Sequence, residues 1–337
     1  MSRETRQLYD LGGTILEVTT SGSELLACFD RAYCDLRAAT ERPGDFVLEL
    51  VEEPLPEPPE HLPLAFDGEM PVDGRCRLYV SDGETFLIFP NRSALLINRE
   101  SRRGRITVAV GEAEATRGAV SVAAIEAAAD SAGQVMLHAA ALTLPGERRC
   151  VLIHAPSGTG KTTTTLALIK DRFGLCSDDA IFFKAQDHGF CAWGFPSDLK
   201  VHQKTEAFAP WLAPSLTDAW NAEGEQPITR VALAAYGRVE DYEPRPVAAL
   251  FRLVRCAGDE TGIVATKRAD ILMSLAADNV YVGLTGLLPI QRRRFVALGR
   301  LAAAVPVLEI RAGGDLTGLG TAITAALAKR DQPAKVS

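Results

Sequence analysis

Ala155-Pro156-Ser157-Gly158-Thr159-Gly160-Lys161-Thr162 decides how the rest of the chain is read. The stretch has the spacing of a phosphate-binding loop, four variable residues followed by Gly-Lys-Thr, with alanine where the first glycine usually stands. Gly158 and Gly160 can take positive φ, so backbone N–H groups can wrap a polyphosphate with no Cβ in the way. Lys161 offers a cation to the β- and γ-phosphates, and the Thr162 hydroxyl can reach a bound Mg²⁺. The flanks agree with this. Cys150 to His154 is apolar enough for a buried strand, and Thr163 to Ile169 reads as a helix whose positive end faces the anion. The pattern implies ATP as ligand, held by Ser157, Gly158, Thr159, Gly160, Lys161, Thr162 and Thr163.

Asp178-Asp179 follows closely, inside a strand expected from Leu175 to Phe183. Adjacent carboxylates on a strand beside such a loop can hold a metal ion and accept a proton from a nucleophile. The plainer reading is an Asp pair capping a turn.

Loop, short helix and Asp-Asp strand together resemble the HPr kinase/phosphorylase group, whose nucleotide fold is shared with phosphoenolpyruvate carboxykinase. Met136 to Leu144, with His138 near its start, resembles the strand that carries a functional histidine in those kinases. A hairpin through Pro145-Gly146-Glu147-Arg148 then leads into the loop strand. The resemblance covers residues 134–200 and extends loosely toward the C-terminus. It departs from the family in three places. Ala155 replaces a glycine, the Glu-(Ile/Val)-Arg-Gly signature is missing, and the N-terminal region is unlike that of the family. The resemblance therefore implies a relative of the regulatory enzyme, in the looser set that includes kinases tailoring ribosomal peptides such as lasso peptide precursors.

The implied fold is α/β, a P-loop kinase core of the HPr kinase/phosphoenolpyruvate carboxykinase type at residues 116–330, behind a smaller α+β N-terminal domain at residues 1–115. The implied activity is that of an HPr kinase-like phosphotransferase, moving phosphate from ATP to a Ser or Thr hydroxyl of a peptide or protein. In that scheme Lys161 and the loop amides stabilise the phosphates, while Thr162 and Asp179 hold Mg²⁺. Asp178 is the general base and His138 orients it, though the two carboxylates could exchange roles. His138 can also be read as a satisfied core histidine. The rival from another class is a nucleotide-dependent switch that hydrolyses ATP slowly and transfers nothing. Carboxykinase chemistry needs a longer chain with further metal- and carboxylate-binding segments.

Composition agrees with a soluble, cytoplasmic enzyme. The chain has 337 residues, 47% hydrophobic and 23% charged, enough for two domains with large cores. A net charge of −7 argues against a general nucleic-acid binder. Arg102, Arg103 and Arg105, and Arg292-Arg293-Arg294, read as solvated faces. Seven cysteines without a Cys-x-x-Cys pair fit reduced thiols and not structural zinc. The polar start, Met1 to Asp10, does not resemble a signal peptide, and no apolar run is long enough to span a bilayer. A homo-oligomer is compatible with all of this.

Along the chain, Ser23 to Ala39 reads as a helix and Phe46 to Val51 as a strand, followed by a Pro- and Glu-rich loop, Glu52 to Pro63. Cys76–Val80, Thr85–Pro90, Ala94–Asn98 and Ile106–Val110 read as an antiparallel meander, and Val120 to Ala132 as a helix leading into the core. This module has no chemistry of its own, so docking of the peptide, an oligomer contact and a structural role are its candidate purposes. Farther on, Trp193 to Val201 is a turn in which Lys200 could face a phosphate. Arg245 is a candidate anion ligand ahead of a core strand, Val247–Val254. Helices are expected at 269–278, 292–304 and 316–329, with a last strand at 305–310 and a polar tail at 330–337.

Overall fold

Residues that alternate between apolar and polar in the N-terminal part build one sheet, because period-two alternation puts all apolar side chains on a single face. The structure, a computed structural model, describes residues 5–70, 74–284 and 286–331. Strands β1 (Thr5–Leu11) and β2 (Thr14–Thr20) form a hairpin across Gly12-Gly13, both at positive φ. Helix α1 (Ser23–Tyr33) follows. It is shorter than its periodicity predicts. Cys34–Leu36 turn as a 3-10 segment, and Ala38 N–H donates to the Leu8 carbonyl, so pairing with β1 takes the backbone away from the helix.

The chain continues through β3 (Phe46–Glu52), β4 (Leu64–Met70), β5 (Gly74–Val80), β6 (Glu84–Phe89), β7 (Ser93–Asn98) and β8 (Arg103–Val108). The order across the sheet is β1-β2-β3-β8-β7-β6-β5-β4. β5 to β8 form the expected meander, while β3 runs parallel to both β2 and β8. The hairpin β1–β2 and strand β4 are additions to the sequence reading. Helix α2 (Ala119–Ser131) buries Val120, Ala124, Ile125 and Ala128 and packs against β2, β3, β7 and β8.

Packing divides the chain into one unit of Met1–Val135 with Tyr281–Arg293 and a second of Met136–Val280 with Arg294–Ser337. Thus α2, which the sequence reading put with the second module, shares its core with the first sheet.

The second unit contains β9 (Val135–His138), β10 (Ala140–Thr143), β11 (Cys150–His154), α3 (Lys161–Lys170), β12 (Gly174–Ser177), β13 (Ala180–Gln186) and β14 (Gly189–Gly194). A two-stranded ribbon of β15 (Leu199–His202) and β16 (Glu225–Ile228) comes with short helices α4 (Gln203–Glu206) and α5 (Arg230–Leu233). Then come β17 (Arg245–Arg255), β18 (Gly262–Ala265), α6 (Arg268–Asn279), α7 (Pro289–Ala304, its first residues counted with the other unit), β19 (Val307–Ala312) and α8 (Leu319–Asp331). The polar tail beyond Asp331 lies outside the described residues.

The sheet order is β12-β10-β11-β17-β14-β13-β9, with β19 beside β17 and β18 beside β19. β11, β17 and β19 are mutually parallel, while β10 pairs antiparallel with β11 and β12, β14 with β13 and β17, and β18 with β19, so the fold is mixed α/β. Every residue of β11 is buried, which is why its sequence runs apolar without alternation. Leu166, Leu168 and Ile169 of α3 and Leu319, Ile323 and Leu327 of α8 close over Val151, Ile153, Phe251 and Leu253. Each such side chain contributes roughly 1.5–3 kcal/mol through burial.

Two strands read as continuous are in fact broken. Met136–Leu144 breaks at Ala139, and Leu175–Phe183 breaks at Asp178-Asp179. Below the break β10 pairs with β12, placing Ala141 opposite Ser177; beyond it β9 pairs with β13.

Candidate active site

The loop Ala155–Gly160 leaves the C-terminal end of β11 and enters α3. Gly158 (φ 75°) and Gly160 (φ 104°) stand in the left-handed region where a Cβ is costly, and no heavy atom lies within 4 Å of where their Cβ atoms would be. The restriction is conformational, and the space above both glycines is open. Thr159 N–H donates to the Pro156 carbonyl (3.2 Å), closing the turn. No side chain caps α3, so its first N–H groups are available to an anion. Ser157 and Gly158 are exposed, and Thr159 through Thr163 are half-buried.

Three side chains of α3 converge on the break between β12 and β13. Lys161 Nζ donates to the Asp178 carbonyl. Thr162 Oγ1 donates to Asp178 Oδ2 (2.6 Å), and Thr165 Oγ1 donates to Asp178 Oδ1 (2.5 Å). Spacing of three residues puts the two hydroxyls on one face of the helix. Asp178 is 7% exposed and both its oxygens are engaged. Asp179 points elsewhere. Its carboxyl is half-exposed, and Oδ1 lies 3.3 Å from His138 Nδ1 across the paired breaks. The His138 hydrogen bond holds the Asp179 pKa down at about 2, helped by the Lys161, His138 and Lys200 charges and opposed by burial. Asp179 is therefore ionised throughout the neutral range, and a carboxylate can only accept, so His138 Nδ1 carries the proton.

The expected site residues thus come together in one place, but the two aspartates stand in different surroundings. Thr165 was not singled out from sequence, although the run Thr162 to Thr165 carries the i, i+3 signal. Ser177 was also missed. Its hydroxyl is buried with no partner among the described residues. A Cβ at Gly194 would collide with the Cys176 carbonyl, which accounts for glycine at that turn.

Other candidates fall away. Arg245 is 6% exposed and bound to Glu240 and Asp241, each at 2.8 Å, so its cation is neutralised within the fold. Arg293 pairs with Asp130 (3.2 Å) and Arg294 donates to the Asn279 carbonyl (3.2 Å). Lys200 is exposed on β15 and reaches Asp179 only through its charge. All seven cysteines are free, and no cluster of three metal-ligating side chains occurs among the described residues. Nor does any described helix have the length and apolarity to cross a membrane.

No family model and no curated protein matches the chain. Among solved structures, the HPr(Ser) kinase/phosphatase from Coxiella burnetii is similar over 58% of this chain and 99% of that one, at 15% identity and a TM-score of 0.30. That likeness is loose. The site's own geometry carries the functional argument.

Proposed function

We propose that the chain is an ATP-dependent kinase that transfers the γ-phosphoryl group to a Ser or Thr hydroxyl of a peptide or protein. One observation carries the reading. A glycine loop at an uncapped helix start lies beside one buried carboxylate held by helix hydroxyls and one half-exposed carboxylate paired with a histidine.

Phosphoryl transfer needs positioning and charge neutralisation more than covalent help. The loop amides and Lys161 would hold the β- and γ-phosphates, Lys161 turning from the Asp178 carbonyl to do so. Thr162 and Asp178 offer the hard oxygen donors that suit Mg²⁺, which usually takes one or two protein ligands and keeps water and phosphate oxygens for the rest. Bound there, Mg²⁺ would neutralise charge on the phosphates. This geometry favours the reverse of the sequence expectation. Asp178 fits the metal role, because it shares Thr162 and is buried. Asp179 fits the base role, because it is accessible, ionised and oriented by His138. The acceptor O–H gives its proton to Asp179 as the new O–P bond forms, and the bond from the γ-phosphorus to the bridging oxygen breaks to release ADP.

Lys161→Ala tests the core of the reading. The side chain is half-buried and donates to a backbone carbonyl, so the fold should survive its loss. Transfer from ATP to Ser- and Thr-containing peptides, followed by mass spectrometry, should cease in the variant. Near wild-type transfer by a folded Lys161→Ala chain would remove the nucleotide-site assignment. ATP hydrolysis without transfer to any peptide would instead favour the switch.

A further inference from the structure

His138 stands at a break in its strand, where backbone groups lose ladder partners and must find others. Two buried side chains supply them. Its N–H donates to Asn279 Oδ1 (2.7 Å), at the C-terminal turn of α6. Its carbonyl accepts from His154 Nδ1 (3.2 Å), on the last residue of β11 before the loop. Each partner is fixed in turn. Asn279 is 5% exposed and its Nδ2 donates to the Leu275 carbonyl (2.9 Å), which sets which end of the amide faces His138.

His154 is fully buried, and burial lowers its pKa, so the ring is neutral at neutral pH. A carbonyl only accepts, so Nδ1 holds the proton and Nε2 is left to accept from Ser274 Oγ (3.0 Å). Asp278 Oδ2 lies 3.6 Å from the same nitrogen.

We propose that Asn279 and His154, the latter kept in one tautomer by Ser274, are positioning residues that hold His138 where its imidazole meets Asp179. None of the three touches the loop's phosphate-facing groups or either aspartate. The inference rests on the reading of Asp179 as base, but it concerns the geometry of the pair and can be tested without turnover.

Ring-nitrogen NMR of ¹⁵N-histidine-labelled protein, held above the ordinary imidazole pKa, reports which His138 nitrogen is protonated. His138 is assigned by its loss in His138→Gln. In the intact chain His138 should be the Nδ1–H tautomer. Asn279→Ala and His154→Leu should each let the two tautomers mix. His154→Asn, whose amide nitrogen can stand near the Nδ1 position and donate to the same carbonyl, should restore the single tautomer. Ser274→Ala, the mildest change, should mix the tautomers partially and serves if His154→Leu does not fold. ATP turnover in the same variants should fall on the order of 10²-fold, with KM for ATP unchanged, as expected for a displaced catalytic pair. A pure Nδ1–H tautomer in folded Asn279→Ala and Ser274→Ala overturns the proposal whatever the turnover. An Nε2–H tautomer in the intact chain overturns it as well. Separately, unimpaired turnover in Asp179→Asn would refute the base assignment and leave the positioning result standing.

Discussion

Replacing each aspartate by asparagine should separate two functions that the sequence alone leaves interchangeable. In Asp178→Asn the amide keeps one acceptor oxygen for one of the two hydroxyls, now 2.6 and 2.5 Å away, and presents an NH₂ to the other. One charge-assisted bond is lost and the remaining one weakens. Hydrogen bonds to charged groups contribute about 1.5–3 kcal/mol. The carboxylate is also the donor assigned to Mg²⁺, so a loss of that size should appear as roughly 10- to 150-fold weaker binding of Mg·ATP. Asp179→Asn leaves Thr162, Thr165 and Asp178 untouched. It should preserve Mg·ATP affinity and lower turnover by about 10²–10⁴, the range for a lost general base. Calorimetric titration with Mg·ATP, alongside rates of phosphoryl transfer or ATP hydrolysis, measures both quantities. Should Asp178→Asn bind Mg·ATP normally and lose turnover while Asp179→Asn weakens metal binding, Asp178 is the base and Asp179 the metal ligand.

Three further outcomes follow from the same geometry. Arg245→Ala removes one of two guanidinium partners of Glu240, with Arg238 Nε still 2.7 Å away, and should destabilise the fold by about 1.5–3 kcal/mol, the range for hydrogen bonds to charged groups; an unchanged melting temperature with weakened ATP binding would revive the anion-site reading. The Asp179 carboxyl titrates at about 2 when folded and 3.8 ordinarily, so its contribution to stability is complete above 3.8 and is lost as pH falls toward 2. Urea midpoints of the intact chain and Asp179→Asn should converge across that window, and a gap undiminished at its lower end would refute the pairing. If the first unit docks the peptide, Arg103→Glu, in a groove of about 590 Å³ shared with Arg6, Glu49 and Arg105, should raise KM for peptide and leave ATP hydrolysis unchanged. A peptide KM unaffected by that reversal counts against docking at this groove. Simple truncation is a poor test, because α2 and Tyr281–Arg293 belong to the same packed unit.

What was legible in the sequence was whatever depends on local chemistry. The loop needs glycines at positive φ, β11 needs an unbroken apolar run, and the meander needs alternation with turns at Asp82-Gly83 and Asn91-Arg92-Ser93; all three are written in short windows. The hairpin β1–β2 was not recognised because its strands carry Arg6, Asp10 and Glu17 among the apolar residues, and only pairing across the sheet gives those positions an outer face. Helix α1 ends before its sequence periodicity does for a related reason. Its periodicity continues to Leu36, but the competing bond from Ala38 to Leu8 is made by a residue far away in sequence.

The site was legible as a set of residues and not as an arrangement. Asp178 and Asp179 are adjacent, so on one continuous strand they would point to opposite faces for no reason that concerns the loop. The break gives the difference a cause. Asp178, at the end of β12, still lies within reach of α3 and is buried under two threonine hydroxyls. Asp179 begins the path to β13 and meets His138, whose own strand breaks beside it. No single segment encodes that coincidence. It arises because β10 and β12 are paired, and so are β9 and β13, so a shift in one chain segment must be matched in the other. The side chains that secure the break, Asn279 and His154, come from α6 and β11, distant in sequence and without a motif. A reading from sequence can find groups that do chemistry by their type and spacing. It finds the groups that hold them only when the fold has shown which backbone atoms were left without partners.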